Sequence, residues 1–135
     1  MIRIALLFFW IVAGASATHA RSFYVEGAGG VPLATTDIGP VDAPGVLFLH
    51  GIGHGRESFR DQFDSELTKK YHFVAFDLRG HGMSGKPSRA EDYAGAQTWA
   101  EDVARVMDAT KLTRPVVVAW SYGTQIGRAS CRERV

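Results

Sequence analysis

The chain has 135 residues, 46% of them apolar, which is the length and composition of one globular domain. Its formal net charge of +1 balances 15 basic against 14 acidic residues, so no basic footprint for a nucleic-acid partner and no acidic tail is present. The single cysteine, Cys131, excludes a disulfide framework within the chain.

Residues 1–20 read as a targeting segment. Arg3 precedes an apolar run over residues 5–13, and small residues then lead to Ala17 and Ala20. A cationic start, a short apolar stretch and small-x-small cleavage sites predict a secretory signal peptide, cut after Ala17 or Ala20, and export to the periplasm or the medium. A permanent anchor is the rival reading, but the run is shorter than the ~20 residues a spanning helix needs. No stable membrane span is expected after cleavage.

Residues 21–125 carry the fold. Residues 23–26 and 31–37 are predicted strands around Gly27-Ala28-Gly29-Gly30, a hairpin signal. A breaker cluster over 39–45 follows. The pattern then changes to short continuous apolar runs at 46–49, 73–76 and 116–119. Unbroken runs predict strands buried on both faces, as in a parallel sheet. Helical periods separate them. Phe59, Phe63 and Leu67 recur at four-residue intervals, and Trp99, Val103, Val106 and Met107 form a stripe, with Glu101, Asp102, Arg105 and Asp108 off it. Thr98 and Glu101 have capping-box spacing at the start of this second helix. Alternating strands and helices predict βαβ units. The expected fold class is therefore α/β: an antiparallel hairpin leading into a mostly parallel sheet with flanking helices.

Three motifs follow the apolar runs. Ala119-Trp120-Ser121-Tyr122-Gly123 has the form of a nucleophile elbow, a sharp strand-to-helix turn that projects one side chain above the sheet. The residues two before and two after the nucleophile must be small, and Ala119 and Gly123 are. A serine hydroxyl is a weak nucleophile and needs a neighbouring base. His50-Gly51-Ile52-Gly53 ends the first apolar run. Backbone amides on such a loop stabilise the oxygen anion of acyl transfer, and the amides of Ile52 and Tyr122 are the candidates here. A dinucleotide loop over Gly51, Gly53 and Gly55 is the alternative, but Arg56 stands where its last glycine belongs. Third, Asp77-Leu78-Arg79-Gly80-His81-Gly82-Met83-Ser84-Gly85 holds Asp, His and Ser on one loop. Residues so close in sequence do not converge in triad geometry. The expectation is a structural turn in which Arg79 and His81 bind backbone or a neighbouring carboxylate.

These three motifs in this order resemble the α/β-hydrolase superfamily, in particular its branch of esterases, cofactor-free haloperoxidase-like enzymes and C–C bond hydrolases. The resemblance covers residues 23–125. It implies Ser121 as nucleophile, the loop after His50 as part of the oxyanion hole, a small-molecule substrate such as an ester or lactone, and neither metal nor organic cofactor. Relatives with aspartate at the elbow, such as haloalkane dehalogenases and most epoxide hydrolases of this fold, are disfavoured by the serine. The family order is serine, acid, histidine. All five histidines (His19, His50, His54, His72 and His81) precede Ser121, so the base and the acid are expected downstream of this chain. His50 and His72 read as structural, His54 faces the pocket, and Trp120 is expected in the core. A non-catalytic ligand-binding protein of the same fold is the competing function, since fold alone does not decide activity.

Residues 126–135, IGRASCRERV, break from this composition: they hold the only cysteine and three of the basic residues. They match, in order, the translation of a common short-read sequencing adapter, ATC GGA AGA GCG TCG TGT AGG GAA AGA GTG, whose next codon is the stop TAG. Native sequence is therefore expected to end near Gln125. Cys131 then has no functional meaning. On this reading the 135-residue chain is the front half of a hydrolase domain, inactive by itself.

Overall fold

A computed structural model describes residues 19–133. The signal-peptide assignment falls almost entirely outside these residues. Five strands form one sheet in the order β1-β2-β4-β3-β5. They are β1 (Arg21–Glu26), β2 (Pro32–Ile38), β3 (Gly45–Leu49), β4 (His72–Phe76) and β5 (Val116–Ala119). β1 and β2 make the predicted hairpin, with Arg21 opposite Asp37 and Glu26 opposite Pro32. The hairpin joins the rest through an antiparallel pairing of β2 with β4. β3 pairs in parallel with both β4 and β5.

The sheet is covered differently on its two faces. Leu47, Leu49, Val74 and Phe76 point to one side, where they pack with Trp99, Val103, Val106 and Met107 of helix α2 (Ala96–Ala109) and with Ile126 of helix α3 (Tyr122–Glu133). Phe48, Phe73 and Ala75 point to the other, under Phe59 and Phe63 of the β3–β4 crossover. Three rings meet there: Phe48 lies 5.0 Å from both Phe59 and Phe73, centroid to centroid. Every residue of β4 is buried, as its unbroken apolar run predicts.

Three expectations need correction. The Phe59–Phe63–Leu67 period does not make one helix. A single α turn, α1 (Arg60–Phe63), stands between two 3-10 turns, so the register is lost and Leu67 is exposed. The Thr98–Glu101 capping box does not form. α2 already starts at Ala96 behind Gly95, whose φ of 81° breaks the chain direction, and the Thr98 hydroxyl donates back to Ala94 O. β5 is not buried on both faces. Val116 and Val118 pair with Val46 and Phe48 and so share their face, but the cluster under the crossover draws on β2, β3 and β4 and leaves β5 out. β5 is also the sheet edge among the described residues, and Val116 and Val118 are exposed.

α3 begins directly after the elbow and runs through residues 126–133, with Ile126 and Ser130 buried against the sheet. A groove of about 720 Å³ lies between α2, β5 and α3, lined by Met107, Leu112, Pro115 and Val117 among others. Among the described residues, no helix is long and apolar enough to cross a membrane.

Candidate active site at the ends of the parallel strands

The loops that leave β3, β4 and β5 meet at the C-terminal ends of these strands, where open α/β sheets place their ligand sites. Ser121 sits on the turn between β5 and α3 with φ of 51°, a left-handed conformation rare for a residue with a side chain. The surrounding hydrogen bonds hold it there. Trp120 N–H donates to Leu49 O (3.3 Å), Gly123 N–H to Trp120 O (3.0 Å) and Thr124 N–H to Ser121 O (3.0 Å). The Thr124 hydroxyl also donates to Ser121 O. This strained strand-to-helix turn has the form expected of a nucleophile elbow.

Gly123 is small because nothing larger fits. A Cβ there would run into Leu49 O and stand 2.7 Å from His50 O, both backbone atoms that cannot swing aside. Gly51 is small for the same reason on the opposite loop: a Cβ would stand 2.9 Å from Ser121 Cβ. The β3 loop therefore lies directly against Ser121. Ile52 is the next residue of that loop, and Tyr122 is the first residue of α3, where an amide has no acceptor within the helix. Ser121 is exposed, and among the described residues its hydroxyl has no hydrogen-bond partner. Chain order brings the three predicted site residues, Ser121, Ile52 and Tyr122, to one place.

His50 is fully buried, and its role can be read from its two partners. Leu78 N–H donates to His50 Nε2 (2.9 Å), so the ring proton is on Nδ1 and donates to Gly51 O (2.8 Å). Burial pushes its pKa below the ordinary histidine value, and the ring stays neutral. His50 is a strut between two loops, with no ring nitrogen free to take a proton from Ser121. His81 donates from Nδ1 to Arg79 O (2.9 Å). His72 lies at the far end of β4, buried beside Asp37.

The Asp77–Gly85 loop is a structural device, as expected. The Asp77 carboxylate takes the backbone N–H of Arg56 (2.7 Å) and of Met83 (2.8 Å) and pairs with the Arg56 guanidinium, tying the β3 and β4 loops together. The Ser84 hydroxyl donates to Asp77 O and accepts from Ala34 N–H (2.9 Å). Arg79 is buried and bidentate to Asp102 of α2, at 2.7 Å on each arm. Its remaining N–H groups reach Asp92 O and Ala28 O, and Asp102 in turn accepts from Ala28 N–H. One ion pair thereby fastens the β4 loop, α2 and the hairpin turn. Asp102 lies off the apolar stripe of α2, yet it is buried, because Arg79, 23 residues earlier in the chain, neutralises it.

Trp120 also departs from expectation. It is 41% exposed rather than in the core, and its ring meets that of His54 at 4.5 Å between centroids. The core position goes instead to Trp99, which packs edge-on against Tyr122.

Comparison with known proteins agrees with this geometry. The family model described as alpha/beta hydrolase fold matches residues 44–133. A magnesium-chelatase 30 kDa subunit of Rhodobacter capsulatus is 36% identical over 67% of this chain and 31% of its own length. An epoxide hydrolase of Caballeronia sordidicola is 32% identical over 70% of this chain and 28% of its own. Among solved structures, a putative aryl esterase from Burkholderia cenocepacia superposes with a TM-score of 0.72 at 35% identity, covering 76% of this chain and 38% of that protein. The chain thus spans roughly a third of the length of the relatives it matches. With the elbow, the glycine loop against it and the clamped loop between them all within the matched segment, the chain belongs to the α/β-hydrolase fold family.

Proposed function

We propose that this chain is the N-terminal part of a longer, exported serine hydrolase acting on a small ester, lactone or related carbonyl compound. The observation that carries this reading is Ser121: held at φ of 51° on the elbow, exposed, with an unengaged hydroxyl against the Gly51 loop. Ser121 Oγ attacks the carbonyl carbon, and the carbonyl electron pair moves onto oxygen. The amides of Ile52 and Tyr122 stabilise that anion. The hydroxyl proton passes to a histidine supplied by the rest of the protein, because His50 has both ring nitrogens engaged. Collapse expels the alkoxide, which takes the proton back, and water then releases the acyl group by the same steps. No metal and no organic cofactor enters this scheme.

The test is turnover of p-nitrophenyl acetate by the full-length protein. Ser121→Ala should abolish it, and the 135-residue chain alone should show none above background. Undiminished turnover in Ser121→Ala would overturn the proposal. A second reading is a ligand-binding protein of the same fold, since fold alone does not decide activity. It would be supported if the full-length protein bound esters without hydrolysing them. The adapter origin proposed for residues 126–135 has its own test. A long read of the parent gene should leave the IGRASCRERV frame after codon 125 and reach an acid and then a histidine. The same ten codons and stop in genomic DNA would refute it.

A further inference from the structure

Beside the nucleophile stands a surface that the acyl-transfer scheme does not use. Trp120 directly precedes Ser121, and its indole lies over Gly51: a Cβ on that glycine would be 3.5 Å from Trp120 Cη2. The His54 ring also meets the indole, with 4.5 Å between centroids and the planes 74° apart. The turn that brings His54 there is closed by His54 N–H donating to Gly51 O (3.2 Å). Among the described residues the His54 side chain makes no hydrogen bond, so the ring contact is what orients it. Ile52 next to Gly51 is 58% exposed, and Met83 on the neighbouring loop is 65% exposed. Exposed large apolar side chains on the loops beside a candidate site are the marks of a binding surface.

The two guanidinium groups of these loops are already paired, whereas the Lys86 ammonium rests on backbone carbonyls. Arg56 is held by Asp77 and Thr36, Arg79 by Asp102, and the Lys86 ammonium by Gly82 O and Ser84 O. A flat apolar group would find there a part-exposed indole held by an imidazole.

Building on Ser121 as nucleophile, we propose that Trp120 is the wall against which the acyl group packs. His54 is a positioning residue that holds the indole, and the site selects esters with an aromatic acyl group over short aliphatic ones. The test compares methyl phenylacetate with methyl acetate in the full-length protein, so the leaving group is constant. Trp120→Ala should lower the ratio of their kcat/KM values about tenfold, mostly through KM, and Trp120→Phe should keep it. His54→Ala should lower the ratio less, and His54→Phe, which keeps a ring against the indole, should restore it. An unchanged ratio in Trp120→Ala would overturn the proposal. So would a fall seen with phenyl acetate but not with methyl phenylacetate, since the aromatic group would then lie on the alcohol side. Calorimetric binding of methyl phenylacetate to the Ser121→Ala protein separates the two readings. Binding that disappears with Trp120→Ala supports the wall even if Ser121 proves dispensable for turnover. Binding that is indifferent to Trp120 refutes the wall while leaving the nucleophile standing.

Discussion

Two loops of this chain carry the same kinds of residue and do opposite things with them. The loop after β4 holds Asp77, His81 and Ser84, the letters of a catalytic triad, and each of them holds backbone: Asp77 accepts from Arg56 N–H, His81 Nδ1 donates to Arg79 O and the Ser84 hydroxyl donates to Asp77 O. The turn after β5 holds Ser121, whose hydroxyl is free and whose backbone is strained. Residue type therefore says little about role. What separates a fastener from a reagent is whether its hydrogen-bonding capacity is already used, and whether strain elsewhere has been accepted to expose it.

Exchanging serine for alanine on each loop gives the sharpest contrast. Ser121→Ala should cut kcat by about 10⁴-fold or more while leaving stability nearly unchanged. Ser84→Ala should do the reverse. It strands Ala34 N–H inside the protein and should lower stability by about 1–3 kcal/mol in chemical denaturation, with kcat per folded molecule retained. Loss of turnover in a well-folded Ser84→Ala protein would break the distinction.

The buried clamp should show the next largest effect. Asp102→Asn leaves Arg79 charged and unneutralised in the interior, and a loss of about 3–5 kcal/mol is expected. Arg79→Met combined with Asp102→Leu should recover part of it, because the cost lies in stranding one charge and not in losing the pair. Gly123→Ala tests the elbow itself. The added methyl meets the backbone of Leu49 and His50, and a loss of about 1–3 kcal/mol is expected along with displacement of Ser121.

The smallest effect is a pH dependence. Burial depresses the pKa of His50 in the folded state, so folding favours the neutral ring. Its contribution is fully present above the unfolded value of about 6.5 and is lost as pH falls through the lower folded value. Stability should therefore decline on acidification below about pH 6.5, and His50→Gln should flatten that part of the profile. An equal decline in the variant would assign it to other groups.

The sequence was most legible where a local rule suffices. The unbroken apolar runs of β3 and β4 predict buried strands, and small-x-Ser-x-Gly directly after such a run has the form of an elbow. It was least legible where the partner is distant. Nothing around Asp102 announces Arg79, because the clamp closes only when α2 crosses the sheet. Trp120 was misplaced for a related reason. Aromatic size argues for the core, but Trp99 already fills the space beside Tyr122, and the elbow turns residue 120 toward the β3 loop. The failed Thr98 cap shows a local rule overridden by an earlier helix start at a glycine. The apolar run of β5 did not reveal that one of its faces lies beyond the reach of the crossover.

The central claim is that Ser121 is the chain's reagent and Ser84 a fastener. Treating the full-length protein with a fluorophosphonate and locating the adduct by peptide mass spectrometry tests it most directly. A single adduct on Ser121, absent in Ser121→Ala and with Ser84 unmodified, is the predicted result. An adduct that persists in Ser121→Ala, or a native protein that forms none while hydrolysing esters, would contradict it.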